Sequence, residues 1–206
     1  MRVKAVEFEV TYINLREKPD WFLKISPHGK VPVLQVEGEP LFESNAIAEY
    51  LDEVVEPKLH PADAFTRARH RAWTDYVPTF AAGLSVYYSK SAQDVEERLP
   101  EARARLAKLT EALQQDALDG PFFGGAEIGL VDAAYAPFLQ RFVFVDRWLN
   151  TGLLQEFPLV KDWADALLDD TRVKNSVPEN FESEFVANLH RRGMYVAQLM
   201  PQLSAG

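Results

Sequence analysis

The chain contains no cysteine. That absence excludes a disulfide-stapled scaffold and thiolate metal sites, and it fits a reducing compartment. Histidine is scarce too: His28, His60, His70 and His190 are the four present. None stands at metal-ligand spacing and there is no HExxH, so no metal is expected. No run of 18 apolar residues occurs, so no membrane span is expected. The opening segment MRVKAVEFEV lacks the apolar core of a signal peptide. Basic residues are outnumbered, 22 Lys and Arg against 31 Asp and Glu, for a net charge of −9. A chain so acidic has no broad basic face for nucleic acid or anionic membrane. GGAEIG follows no strand, which excludes a dinucleotide loop, and no G-x-S-x-G appears. A cytoplasmic protein is the expectation.

What is present is a core-forming composition, 47% hydrophobic, distributed in two distinct halves. Val6, Phe8, Val10 and Tyr12 alternate with polar residues, the pattern of a half-buried strand over Val6–Asn14. A short helix over KPDWFLKI should end at Ser26-Pro27, because the residue before proline is pushed out of the helical region. VPVLQV reads as a second strand, EGEP as a turn using Gly38, and Leu41-Phe42 as a third strand. Ser44 is expected to cap a helix with Ile47, Tyr50, Leu51 and Val54 on one face. Glu56–Ala64 holds two prolines and no periodicity, and reads as a linker.

Beyond the linker the pattern is helical. Helices are expected over Phe65–Tyr88, with Pro78 inside; over Asp94–Leu118, interrupted by Pro100; and over Leu130–Leu149, apolar enough to be central. Shorter ones follow near Pro158–Leu168 and Thr171–Ser176, and a last one over Ser183–Leu199. The fold class is therefore α/β followed by all-α: residues 1–55, a linker at 56–64, and a helical domain at 65–206.

Three stretches, NLREKPDWFLKISPHGKVPVL, LFESNAIAEYLDE and GPFFGGAEIGLVDAAYAPFLQR, resemble the cytosolic glutathione S-transferases, most closely the omega-like and related bacterial classes. The resemblance covers nearly the whole chain. It implies a thioredoxin-like first domain, a helical second domain, a homodimer, and glutathione as co-substrate passed to an electrophile or used to reduce a disulfide. The alternative is a protein that keeps the fold for binding or interaction without catalysis.

The resemblance also implies a site. The Val31-Pro32 bond would be cis, presenting the Val31 backbone to glutathione as an added strand. Pro32 lacks an N–H, which costs nothing on a side that faces no strand. Ser44 and the following helix start would receive the γ-glutamyl carboxylate, and Glu43 its ammonium. Lys18 would meet the glycyl carboxylate, with Lys30 a second candidate and His28 a weaker one. Asp132, three residues after Gly129, has the place of a capping-box acid and a structural role. Trp73, Tyr76, Phe80, Tyr87 and Tyr88 are candidates for an electrophile pocket, against the commoner reading of such residues as core.

One departure matters. The family places a strand, a nucleophile-bearing turn and a helix ahead of VEFEV-like sequence, and this sequence lacks that Cys-, Ser- or Tyr-bearing turn. The missing strand would lie between Glu7–Ile13 and Val33–Val36. An omitted or miscalled segment is the preferred explanation; a swapped strand or a rearranged sheet are the others.

Overall fold

The computed structural model describes residues 1–116 and 120–200, so the end expected at Leu118 lies outside the described residues. Cα clustering divides the chain into two compact units, Met1–Arg67 and Ala68–Gly206.

The first unit begins with a 3₁₀ turn at Arg2–Lys4. Helix α1 is Asp20–Ile25, with Pro19 in the N-cap position and Asp20 favourably placed against the positive helix end. Strands β1 (Val33–Val36) and β2 (Glu39–Phe42) pair antiparallel in the register Val33↔Phe42, Leu34↔Leu41, Gln35↔Pro40 and Val36↔Glu39. Glu37 and Gly38 join them with φ of 51° and 91°, the pair of positive angles that a tight hairpin with native twist requires. Pro40 is tolerated because the sheet has two strands and both are edges. Helix α2, Ser44–Val54, follows directly.

The strand expected over Val6–Asn14 does not form. The sheet of the described residues contains β1 and β2 alone, and Val10 and Tyr12 are 52% and 71% exposed. Alternation supplies one apolar face, but a strand also needs a neighbour to receive its N–H and C=O groups. Here no described neighbour does so.

The lower end of α2 is tied to the chain on both sides of it by a buried ion pair. Lys4 Nζ lies 2.9 Å from Asp52 Oδ1, with side chains 1% and 6% exposed. The same ammonium donates to the carbonyls of Val55 at 2.7 Å and Pro57 at 2.6 Å. Asp52 accepts from the backbone N–H of Leu59 and of His60, and His60 Nε2 meets Glu49 Oε1 at 2.6 Å. A buried charge is tolerable only when paired and hydrogen-bonded in this way.

Helix α3, Ala64–Gly83, starts where Asp63 accepts from the N–H of Thr66, and passes into a 3₁₀ turn at Ser85–Tyr88. Helix α4 runs through Ala92–Asp116 without interruption. Pro100 lies on its exposed face, where water can satisfy the carbonyl that the missing N–H leaves free. Helix α5, Leu130–Leu149, is central: Tyr135, Leu139, Phe142 and Val145 are fully buried along it. Then come α6 (Leu153–Glu156), α7 (Pro158–Asp169) and α8 (Thr171–Lys174).

The single last helix expected over Ser183–Leu199 is two, α9 (Phe181–Arg191) and α10 (Tyr195–Leu199). Gly193, at φ 59°, separates them. Its N–H donates to the carbonyl of His190 and that of Met194 to Leu189, the paired bonds of a glycine-terminated helix end.

Asp132 joins three parts of the helical unit. Its carboxylate accepts from Gly129 N at 2.8 Å, from Phe123 N at 2.9 Å and from Trp163 Nε1 at 2.6 Å. The loop bonds match the structural role read for it; the indole of α7 is an addition. Around it Phe123, Trp163, Tyr135 and Phe80 form a continuous aromatic cluster, with centroids 5.9, 5.4 and 4.9 Å apart in turn. Trp73 joins through Phe123, at 6.1 Å. Phe80 is wholly buried, so it belongs to this core and is no pocket wall.

Candidate functional site

The sequence places its candidate ligands on three short connections of the first unit, and hydrogen bonds fix each one. Ser26, at the end of α1, is buried. Its hydroxyl accepts from the Lys30 N–H and donates to the Lys30 carbonyl, both at 2.9 Å. The N–H of Gly29 donates to the Ser26 carbonyl at 3.0 Å. One side chain thus closes the loop on both polar groups of Lys30 and aims the chain into Val31. The sequence reading assigned Ser26 only to helix termination; its signal was a hydroxyl residue opening a Pro- and Gly-containing turn.

The Val31-Pro32 bond is cis, and Val31 is 48% exposed. The hairpin register ends at the Val33↔Phe42 pair, so Val31 and Pro32 lead into one strand at the same end of the hairpin from which Glu43 and Ser44 leave the other. The ring of His28 meets Phe42 edge-on at 5.5 Å, so this histidine packs on the hairpin.

Glu43 has φ 68° and ψ 122°. A side chain at positive φ costs on the order of 1–3 kcal/mol, and such residues concentrate at functional sites. Its carbonyl accepts from the Ile47 N–H at 3.0 Å, which starts α2. Glu43 is therefore the N-cap residue and Ser44 the first helical residue, correcting the expected cap. The Glu43 side chain makes no capping hydrogen bond, and no acidic side chain lies in the first turn. The positive end of α2 thus carries no acidic side chain in its own first turn.

Lys18 reaches the same loop. A Cβ added at Gly29 would stand 3.8 Å from Lys18 Nζ, so this ammonium lies against the turn that leads into Lys30 and Val31. Lys30 is itself exposed, its backbone held by Ser26. Lys18, Lys30, Val31 and Pro32 thus lie on or against the connection that enters β1, and Glu43 and Ser44 on the connection that leaves β2 at the same end of the hairpin.

A reduced thioredoxin-like unit with a cis-proline loop beside a helix start, followed by a helical unit built on a buried Asp near the start of its central helix, defines a class. Residues 1–53 match the model of the glutathione S-transferase N-terminal domain, and residues 96–166 that of the C-terminal domain. The chain is 32% identical over 207 residues to glutathione S-transferase U16 of Arabidopsis thaliana, covering 96% of this chain and 88% of that protein. The chain belongs to the glutathione S-transferase family.

Solved structures agree. A tau-class glutathione S-transferase from mango, Mangifera indica, matches with a TM-score of 0.79 at 28% identity, over 91% of this chain and 89% of that one. Rice GST1, solved in complex with glutathione, matches at 0.77 and 28% identity, over 93% and 90%. Omega 3C from Trametes versicolor reaches 0.77 at 25% identity, over 92% and 82%. The likeness is therefore not specific to the omega-like and bacterial classes.

Proposed function

We propose that the first unit binds reduced glutathione at the open end of the hairpin, and that the protein joins the glutathione thiol sulfur to an electrophile. The observation that carries this reading is the Val33↔Phe42 pair that ends the hairpin: one chain runs back from it to Val31 and the turn that Lys18 lies against, and the other runs on to the start of α2 at Glu43 and Ser44, with no acidic side chain in its first turn. An extended peptide there would pair with the Val31 backbone as an added strand. Its γ-glutamyl carboxylate would accept from the Ser44 hydroxyl and the first N–H groups of α2, and Glu43 would face the α-ammonium. Lys18 is assigned the glycyl carboxylate, with Lys30 beside it. Glutathione in the rice relative's crystal supports the choice of ligand.

These residues supply recognition and orientation. Holding the thiol against an acceptor turns a bimolecular reaction into one within a complex, which lowers the barrier by prepaying the entropy of the encounter. In an aromatic substitution the thiolate attacks the ring carbon, the halide leaves with its electron pair, and the thiol proton passes to solvent. The plant relatives and the tau-class structure favour a tau-like over an omega-like assignment, and the family resemblance favours a homodimer. No helix among the described residues is long and apolar enough to cross a membrane; a cytoplasmic location is part of the proposal.

The test is turnover of glutathione with 1-chloro-2,4-dinitrobenzene, followed by absorbance of the conjugate. Saturable turnover that falls at least tenfold in a Glu43→Ala, Ser44→Ala variant supports the reading. Glutathione binding without turnover of any electrophile or disulfide would favour the non-catalytic alternative.

A further inference from the structure

The ladder between β1 and β2 stops at Val33↔Phe42. Beyond that pair the chain runs on one side through Val31 and Lys30 back to the turn at Pro27–Gly29, and on the other through Glu43 into α2. No backbone hydrogen bond among the described residues joins these two connections. A pair of rings does. His28, in the turn, meets Phe42, the last residue of β2, with centroids 5.5 Å apart and planes at 82°, the edge-to-face arrangement in which aromatic rings attract.

Each ring is tied to a different part of the glutathione residues. The turn that carries His28 is held by Ser26, whose hydroxyl takes both the N–H and the carbonyl of Lys30. The N–H of Gly29 donates to the Ser26 carbonyl, and Gly29 stands at φ 59°, a backbone angle that other residues adopt only with strain. A displacement of His28 is therefore carried to Lys30 and Val31. Phe42 is paired to Val33 and is followed by Glu43, at φ 68°, whose carbonyl starts α2. A displacement of Phe42 is carried to Glu43 and Ser44.

The pair contributes little to the core. His28 is exposed and Phe42 is 36% exposed, so the contact removes little apolar surface from water. Its effect is local: it braces two connections that the ladder leaves unjoined. The resemblance offered His28 as a weak ligand for the glycyl carboxylate; its ring contact gives it a different task.

We propose that His28 is a positioning residue of the glutathione site. Its ring, braced on Phe42, sets the spacing between the Val31 backbone and the helix start at Glu43 and Ser44. That spacing decides whether an extended peptide paired with Val31 places its γ-glutamyl end at α2. The inference rests on the glutathione reading of the first unit. Groups held at the bound spacing before the ligand arrives need less ordering when it binds, so loosening the brace weakens binding without removing any group that touches glutathione.

Calorimetric titration of the full chain with reduced glutathione tests it. His28→Ala is expected to weaken binding by at least about threefold with the melting temperature preserved. His28→Phe, which keeps a ring against Phe42, should bind within about twofold of the parent. His28→Gln, which keeps a polar side chain and loses the ring, should bind as weakly as His28→Ala. Phe42→Leu should also weaken binding, and adding it to His28→Ala should cost little more, because the two residues act through one contact. A parent that binds no glutathione would overturn the inference together with the reading on which it rests. A parent that binds it while His28→Ala binds equally well would overturn the positioning role alone. Affinity restored by His28→Gln and not by His28→Phe would overturn it too, and would make His28 a direct ligand.

Discussion

Ser26 and Lys30 are joined twice through one hydroxyl: Ser26 Oγ accepts from the Lys30 N–H and donates to the Lys30 carbonyl, each at 2.9 Å. That pair of bonds holds the turn from which Val31 emerges. Replacing Ser26 by Ala removes both and leaves two backbone groups seeking partners, a loss of about 1–3 kcal/mol. Ser26→Ala is expected to lower the denaturation midpoint and to weaken glutathione at least about threefold, although Ser26 touches no proposed ligand atom. Urea unfolding and glutathione titration of the same preparation check both effects.

The Lys4–Asp52 pair should behave asymmetrically. Asp52→Ala strands a buried ammonium and is expected to cost about 3–5 kcal/mol. Replacing both partners with apolar residues, as Lys4→Met with Asp52→Leu, should recover most of that loss, because no unpaired charge is then left buried. Denaturant unfolding of the single and double variants measures the difference. A double variant no better than the single would mean that the Lys4 bonds to the carbonyls of Val55 and Pro57 carry the stability instead.

Two buried carboxylates predict opposite pH dependences. Burial pushes Asp52 up, but hydrogen bonds from Leu59, Lys4 and His60 outweigh it, and the net direction is down. Its contribution is therefore present above the unfolded value of about 3.9, and is lost as pH falls through the lower folded value. Burial pushes Asp132 above the usual carboxylate range, against the pull of the N–H groups of Phe123, Gly129 and Trp163. Its contribution is full below about 3.9 and is lost as pH rises through the higher folded value. Below pH 4 the stability of Asp52→Asn should fall less steeply than that of the parent. In Asp132→Asn the decline on raising pH from about 4 should be reduced. Unfolding midpoints from pH 3 to 7 decide both.

Much of this was legible in local pattern. The hairpin followed from two apolar runs flanking Glu37-Gly38, and α5 from an unbroken helical periodicity between Gly129 and Asn150. Three features were not. The alternation of Val6, Phe8, Val10 and Tyr12 encodes a face and not a neighbour, so it could not reveal that no described strand pairs there. Gly193 sits inside a helical periodicity, and its role as a terminator depends on a backbone angle that periodicity does not report. Pro100 reads as a break, yet its exposed position lets the helix continue.

The site was legible as a list of residues and less so as an arrangement. Val31, Pro32, Glu43 and Ser44 stand out by resemblance, but the cap falls on Glu43 rather than Ser44 because Glu43 adopts a positive φ, which residue type does not report. Ser26 reads in sequence as a helix end and not as a loop clamp, because its hydroxyl works on the backbone of Lys30.

The central claim is that the open end of the hairpin recognises glutathione. Calorimetric titration of the parent chain with reduced glutathione, beside the Glu43→Ala, Ser44→Ala variant, tests it most directly. The account predicts a dissociation constant between about 1 μM and 1 mM, or about −8 to −4 kcal/mol, for the parent, and a loss of at least tenfold in the variant at an unchanged fold. A parent that binds no glutathione, or a variant that binds it equally well, would contradict it.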